Sequence, residues 1–153
     1  MKPKINVETS DFAVGQAPQI LATSGIGSCV AICLYHKDRR IGALLHIMLP
    51  RSEGDHLNPR RFADTGINLA LIELGKQSIA PTQLTAKLVG GAQMFKAFAS
   101  AGNIGSRNVE EIRRILHTIA IPIEAEDIGG SSGRNLEFDL ASGLVTIVGR
   151  SAP

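Results

Sequence analysis

Two apolar runs of strand length, Val30-Ala-Ile-Cys-Leu-Tyr35 and Ile41-Gly-Ala-Leu-Leu-His-Ile-Met48, are separated by the polar stretch His36-Lys-Asp-Arg-Arg40. Short runs of branched aliphatics on either side of a turn signal read as the two strands of a β-hairpin. A register pairing Leu34 with Ile41 carries Ile32 opposite Ala43, Val30 opposite Leu45 and Cys29 opposite His46. Directly opposed side chains share a face, with Cβ atoms about 5 Å apart. A slip of one residue sends them to opposite faces. The register of this hairpin therefore decides whether a thiol and an imidazole meet.

The cysteine closes the stretch Thr23-Ser-Gly-Ile-Gly-Ser-Cys29-Val30. Glycines let the backbone approach a substrate, and the amides around Gly27, Ser28 and Cys29 are candidates to face a developing oxyanion. A cysteine met by a histidine is a candidate nucleophile with its base. The plainer reading is a small buried cysteine and a core histidine satisfied by its neighbours; the glycine-rich approach and the reachable His46 favour chemistry. Thr23 either orients the imidazole, as a third member does in triads, or bonds its own backbone at a strand end, and the sequence leaves both open. Cys33, roughly 13 Å from Cys29 along a strand, is too far for a disulfide and reads as a core residue. His36 and His56 fall in predicted turns and His117 on a charged helix face. Two cysteines without a second cluster make a poor zinc site. Gly25-x-Gly27 lacks the last glycine of a dinucleotide fingerprint, and there is no Walker lysine. No metal and no cofactor are expected.

The remaining sequence bounds the class. At 153 residues the chain fits a single domain, 1–153, able to bury roughly 70% of its unfolded surface. A formal net charge of +2, with basic residues scattered in short groups such as Arg60-Arg61, argues against nucleic acid. No apolar run approaches the roughly 20 residues of a membrane span, and residues 1–8 show no signal-peptide core. The expected location is cytoplasmic, with both thiols reduced. Ala13-Val14 and Ile20-Leu21 are short strand candidates. Asn58-Pro59 is expected to start a helix running through Phe62, Ile67 and Leu71 to Gly75. Thr85–Val89 reads as a strand ending in Gly90-Gly91, a turn or close-packing signal before a short helix around 94–99. Asn108 is expected to open a helix, with Glu111 at capping-box spacing and Val109, Ile112, Leu116 and Ile119 on its apolar face. A strand over Ile121–Glu126, a glycine loop from Gly129 to Gly133, and a hairpin of Asn135–Leu140 with Leu144–Val148 complete the chain. Six to eight strands and about three helices in a non-alternating order predict an α+β fold, a sandwich of mixed and antiparallel sheets flanked by helices.

Taken together, the motifs resemble the CheD family of chemoreceptor glutamine deamidases. They are Thr23-x-Gly-x-Gly-Ser-Cys29-Val30; Gly42-x-x-x-His46-x-Met48-Leu49-Pro50; Ala63-Asp64; Ala86-Lys87 with Gly90-Gly91-Ala92-x-Met94; Ile104-Gly105-x-Arg107-Asn108; and Asp127-x-Gly129-Gly130-x-x-Gly133-Arg134. Six motifs in order, over roughly residues 10–148, are specific. The resemblance implies a cysteine-hydrolase fold of the toxin-deamidase type and catalysis by Cys29, His46 and Thr23. It implies a thioester route from a receptor glutamine to glutamate with loss of ammonia, the cytoplasmic helices of methyl-accepting chemoreceptors as substrate, and a CheC-like phosphatase as partner. Two departures stand out: Leu45 replaces the small residue usual before the histidine, and Arg51 replaces an acidic residue that often follows the proline. Both are expected to alter the rim that receives a substrate helix. Methylesterase action on receptor glutamyl esters is a lesser expectation. A binding adaptor for a CheC-type phosphatase, with little catalysis of its own, is the alternative from a different class. A redox-sensing thiol is weaker, because Cys33 is badly placed to resolve a Cys29 sulfenate.

Overall fold

A computed structural model describes residues 2–55, 57–93 and 103–151 of the chain. Among the described residues there are nine strands: β1 Lys4–Asn6, β2 Asp11–Gln16, β3 Ile20–Ile26, β4 Val30–His36, β5 Ile41–Ile47, β6 Thr85–Gly90, β7 Ile123–Ile128, β8 Gly133–Asp139 and β9 Val145–Ser151. Two α-helices are described, α1 Ala63–Gly75 and α2 Ile104–Thr118. The strands form a four-stranded sheet in the order β1-β3-β8-β9 and a five-stranded sheet in the order β2-β5-β4-β6-β7. Both sheets are mixed: β1 runs parallel to β3 and β6 parallel to β7, while the other pairs are antiparallel. The expected α+β sandwich is the observed architecture.

Side-chain alternation in the central hairpin builds the layers. Val30, Ile32 and Leu34 of β4 and Ala43, Leu45 and Ile47 of β5 face the helices, packing on Ile67, Ala70 and Leu74 of α1 and on Val109, Ile112 and Leu116 of α2. Ala31, Cys33 and Leu44 point the other way, into a second core against Leu21, Leu136 and Phe138 of the four-stranded sheet. The hairpin is therefore covered on both faces, which is why its strands read as unbroken apolar runs. His46 belongs to the face that looks between the sheets and is fully buried. A catalytic group on that face can be held by residues of the opposite sheet.

Several boundaries differ from expectation. The hairpin register is two residues away from the predicted one: His36 pairs with Ile41, Leu34 with Ala43 and Ala31 with His46. The turn is shorter than the polar stretch suggests, because His36 is buried at the end of β4 and its Nδ1 accepts the Arg39 N–H at 3.2 Å. A shift of two preserves side-chain parity, so Cys29 and His46 remain on one face, as diagonal rather than direct neighbours. Thr23 lies within β3 rather than at its end. β3 continues through it to Ile26 with an irregularity between Thr23 and Ile26, where Gly25 (φ 67°) donates its N–H to Asn135 Oδ1 at 3.0 Å. The helix expected from Asn58 begins later: Pro59–Arg61 is a 3-10 turn, and Phe62 is extended and bridges Leu49 before α1 starts. Likewise α2 is capped by Asn103, whose side chain accepts the Ser106 N–H, and Asn108 lies inside the helix. The strand expected over Ile121–Glu126 runs two residues later. The helix expected around 94–99 lies outside the described residues.

Candidate active site

The site forms at the open end of the β4–β5 hairpin, on the face between the two sheets. β3 of one sheet supplies Thr23, and β5 of the other supplies His46. Thr23 Oγ1 lies 2.7 Å from His46 Nδ1 and 2.7 Å from the carbonyl oxygen of Val7, with both side chains buried. These two contacts fix the imidazole's proton. A hydroxyl has a single hydrogen, and the Val7 carbonyl can only accept it. Thr23 Oγ1 must then accept from His46 Nδ1–H, which leaves the lone pair of the neutral ring on Nε2. Nε2 is buried and has no hydrogen-bond partner among the described residues. Burial disfavours the imidazolium and pulls the pKa of His46 down to about 4, so the ring is a neutral base at neutral pH. Val7 is itself anchored, its N–H donating to Ala22 O at 2.7 Å.

Cys29 lies in the three-residue bend Gly27–Cys29 that joins β3 to β4, half-buried at the rim of the inter-sheet core. It is a free thiol. Desolvation raises its pKa and its own backbone amide works in the opposite direction, so the resting pair is neutral thiol and neutral imidazole. The bend is held from its carbonyl side: Gly27 O accepts from Ala92 N at 2.9 Å and Cys29 O accepts from Gly91 N at 2.8 Å. That approach requires the glycine at position 90. Its φ is 119°, and a Cβ there would stand 2.4 Å from Cys29 O. The Gly27 N–H is engaged by Gly25 O at 3.1 Å. The Ser28 amide has no acceptor among the described residues and the Cys29 amide meets only its own thiol, which makes these two the candidates for a developing oxyanion.

Sequence reasoning missed two groups that support this arrangement. Nothing in the sequence flags the Val7 carbonyl, a backbone group brought in by the parallel β1–β3 pairing. Asn108 does give a signal, since an asparagine beside the apolar stripe of a helix suggests a cap, whereas it is fully buried and donates from Nδ2 to Ser28 O (2.9 Å) and Met48 O (3.0 Å). Glu111, expected in the same cap, instead accepts from Arg51 Nε at 2.7 Å and pairs with Arg114. Of the two departures noted above, Leu45 is fully buried toward the helices and does not reach the rim. Arg51 lines a cleft of about 450 Å³ with Leu49, Pro50, Arg107 and Glu111, beside the site but including neither Cys29 nor His46. Behind the bend, the buried Arg134 donates to Asp127 at 3.0 Å, tying β8 to β7 across the two sheets. Among the described residues, no group of three or more His, Cys, Asp or Glu side chains is placed to hold a metal ion.

The chain is similar to known proteins over most of its length. The family model for CheD chemotactic sensory transduction matches residues 48–148. A protein of Desulforamulus reducens named probable chemoreceptor glutamine deamidase CheD is 45% identical over 148 residues, covering 94% of this chain and 89% of that protein. A Pyrococcus abyssi protein of the same name is 43% identical over 148 residues, covering 95% and 91%. The chemoreceptor glutamine deamidase CheD of Thermotoga maritima is 37% identical over 147 residues, covering 96% and 91%. Among solved structures, Neisseria meningitidis protein NMB0706, of the family DUF152, superposes with a TM-score of 0.51 at 13% identity. That match covers 85% of this chain and 63% of the other, and it is a likeness of fold.

Proposed function

This chain belongs to the CheD family, and we propose that it is a protein-glutamine deamidase that converts glutamine side chains of methyl-accepting chemoreceptors to glutamate. The observation that carries the reading is the Val7–Thr23–His46 hydrogen-bond chain, which leaves Nε2 as a free base beside a rim cysteine. Cys29 is the nucleophile, His46 the general base and acid, and Thr23 the group that fixes the ring. His46 Nε2 takes the thiol proton as Sγ attacks the carboxamide carbon, and the carbonyl electrons move onto oxygen beside the Ser28 and Cys29 amides. The C–N bond then breaks, Nε2 returns the proton to the departing nitrogen, and ammonia leaves a thioester. Water, deprotonated by the same nitrogen, adds to the thioester; the C–S bond breaks, releasing glutamate and restoring the thiol. Gly27 supports the bend through its carbonyl.

Residues 1–153 act as one deamidase domain on this reading. The substrate is the cytoplasmic helical region of the receptor, which a rim-placed thiol suits better than a closed pocket. The protein works in the cytoplasm; no described helix is long and apolar enough to cross a membrane. A CheC-type phosphatase is the proposed regulatory partner. The test is mass spectrometry of a cytoplasmic receptor fragment incubated with the wild type and with Cys29→Ala. A Gln-to-Glu mass gain at defined positions with the wild type alone is expected. Equal conversion by Cys29→Ala would overturn the assignment, and binding without conversion by either protein would favour an adaptor.

A further inference from the structure

Asn108 makes no hydrogen bond to Cys29 or His46 among the described residues, yet it grips the chain beside each of them. Its Nδ2 donates to Ser28 O at 2.9 Å, one residue before the nucleophile, and to Met48 O at 3.0 Å, two residues after the base. It does so from within α2, where asparagine is a poor helix former, and its Oδ1 is buried without a partner among the described residues. Both features cost stability, against the two carbonyls that Nδ2 satisfies.

Peptide geometry gives the arrangement a consequence. In a trans peptide the C=O of one residue and the N–H of the next point to opposite sides. Asn108 draws the Ser28 carbonyl toward α2, so the Cys29 N–H is turned away from the helix. The same amide is the backbone group that acts on the Cys29 sulfur. The neighbouring contacts do not set this plane: Gly91 holds the Cys29 carbonyl and Ala92 the Gly27 carbonyl, each on a different peptide.

We infer that Asn108 is a positioning residue that sets the Ser28–Cys29 peptide so that the Cys29 amide faces the oxyanion, while clamping the nucleophile bend to the end of the histidine strand. The inference rests on the deamidase reading and goes beyond it. A shape-preserving Asn108→Leu removes both donors and frees that peptide to rotate. Its test compares two reactions of the same sulfur. Deamidation builds an oxyanion, whereas alkylation by iodoacetamide displaces iodide at a saturated carbon and builds none.

Expected for Asn108→Leu is a fall in kcat of about 100-fold on a receptor fragment, with KM and the alkylation rate of Cys29 within twofold of wild type. Unchanged kcat would overturn the inference. A parallel fall of kcat and alkylation would also overturn it, showing a merely structural staple. Absence of product with the wild type would bring down the deamidase reading itself, and this inference with it. Asn108→Ala replaces the leucine variant should the latter not fold. If neither folds, the wild type carries the test: a peptide bearing the aldehyde analogue of glutamine forms a hemithioacetal with Cys29, and the Cys29 amide proton should shift downfield by NMR. No shift at that amide would refute the assignment.

Discussion

Cys29 and Cys33 are four residues apart, and both belong to the core between the sheets, yet their surroundings make them different chemicals. Cys33 sits in mid-strand, 1% exposed among Leu44, Val89 and Phe138. Burial drives its thiol up to about 12, and the Lys87 charge only partly offsets this. Cys29 sits on the bend that leads into β4, half-buried, beside a Ser28 amide with no acceptor among the described residues and with an imidazole of the facing strand as its diagonal neighbour. Residue type and sheet face are shared. On the deamidase reading, what separates the nucleophile from an inert thiol is position along the strand, because the middle of a sandwich has packed side chains on every side and its end has loops. The comparison can be broken at the base, at the group that orients the base, or at the inert cysteine.

The largest effect is expected from His46→Gln, which removes the base while keeping a polar side chain near Thr23. Deamidation of a receptor fragment should fall by about 1,000-fold. The same variant tests the protonation state. A histidine neutral in the fold down to pH about 4 binds fewer protons than the unfolded chain, whose imidazole titrates near 6.5. Stability is then lost as pH falls from 6.5 toward 4. Between pH 7 and 4.5, urea unfolding should show the wild type losing roughly 2 kcal/mol more than His46→Gln. Equal losses would mean that His46 is protonated in the resting site. In activity, the acid limb of kcat/KM due to this group should lie near pH 4 rather than 6.5.

Thr23→Val should come next. Valine keeps the shape but leaves Val7 O and His46 Nδ1 without their partner in the interior. With the tautomer no longer fixed, kcat should fall about 10- to 100-fold, and Thr23→Ser should recover most of it. Nitrogen-15 NMR of the imidazole should show the proton on Nδ1 in the wild type and in Thr23→Ser, and a tautomer mixture in Thr23→Val. Full activity in Thr23→Val would reduce the threonine to a packing role.

The layers were readable because the apolar runs of β4 and β5, the stripe of α2 and the glycine breaks all agree with the fold they adopt. The register was not, since the turn chemistry of His36–Arg40 permits two pairings of equal parity, and only the burial of His36 chooses between them. Either pairing keeps Cys29 and His46 on one face. The start of α1 was misjudged for a different reason: Phe62 is held extended by its bridge to Leu49, a tertiary contact no local signal reports. Asn108 shows the same limit. Its residue type announced a hydrogen-bonding role, but its partners, Ser28 and Met48, lie in distant segments of the chain.

Cys33→Ala carries the smallest expected effect and sharpens the comparison most cleanly. It leaves the bend, the histidine and the threonine untouched and removes one sulfur from a packed core, which should cost about 1 kcal/mol of stability. Deamidation should stay within twofold of wild type. Native wild type and Cys33→Ala should each take up one equivalent of iodoacetamide, while urea-unfolded wild type takes up two. Rapid native labelling at Cys33, or loss of activity in Cys33→Ala, would mean that the sandwich opens between β4 and β8 on the timescale of turnover. The end-of-sheet distinction between the two thiols would then be one of dynamics rather than of place.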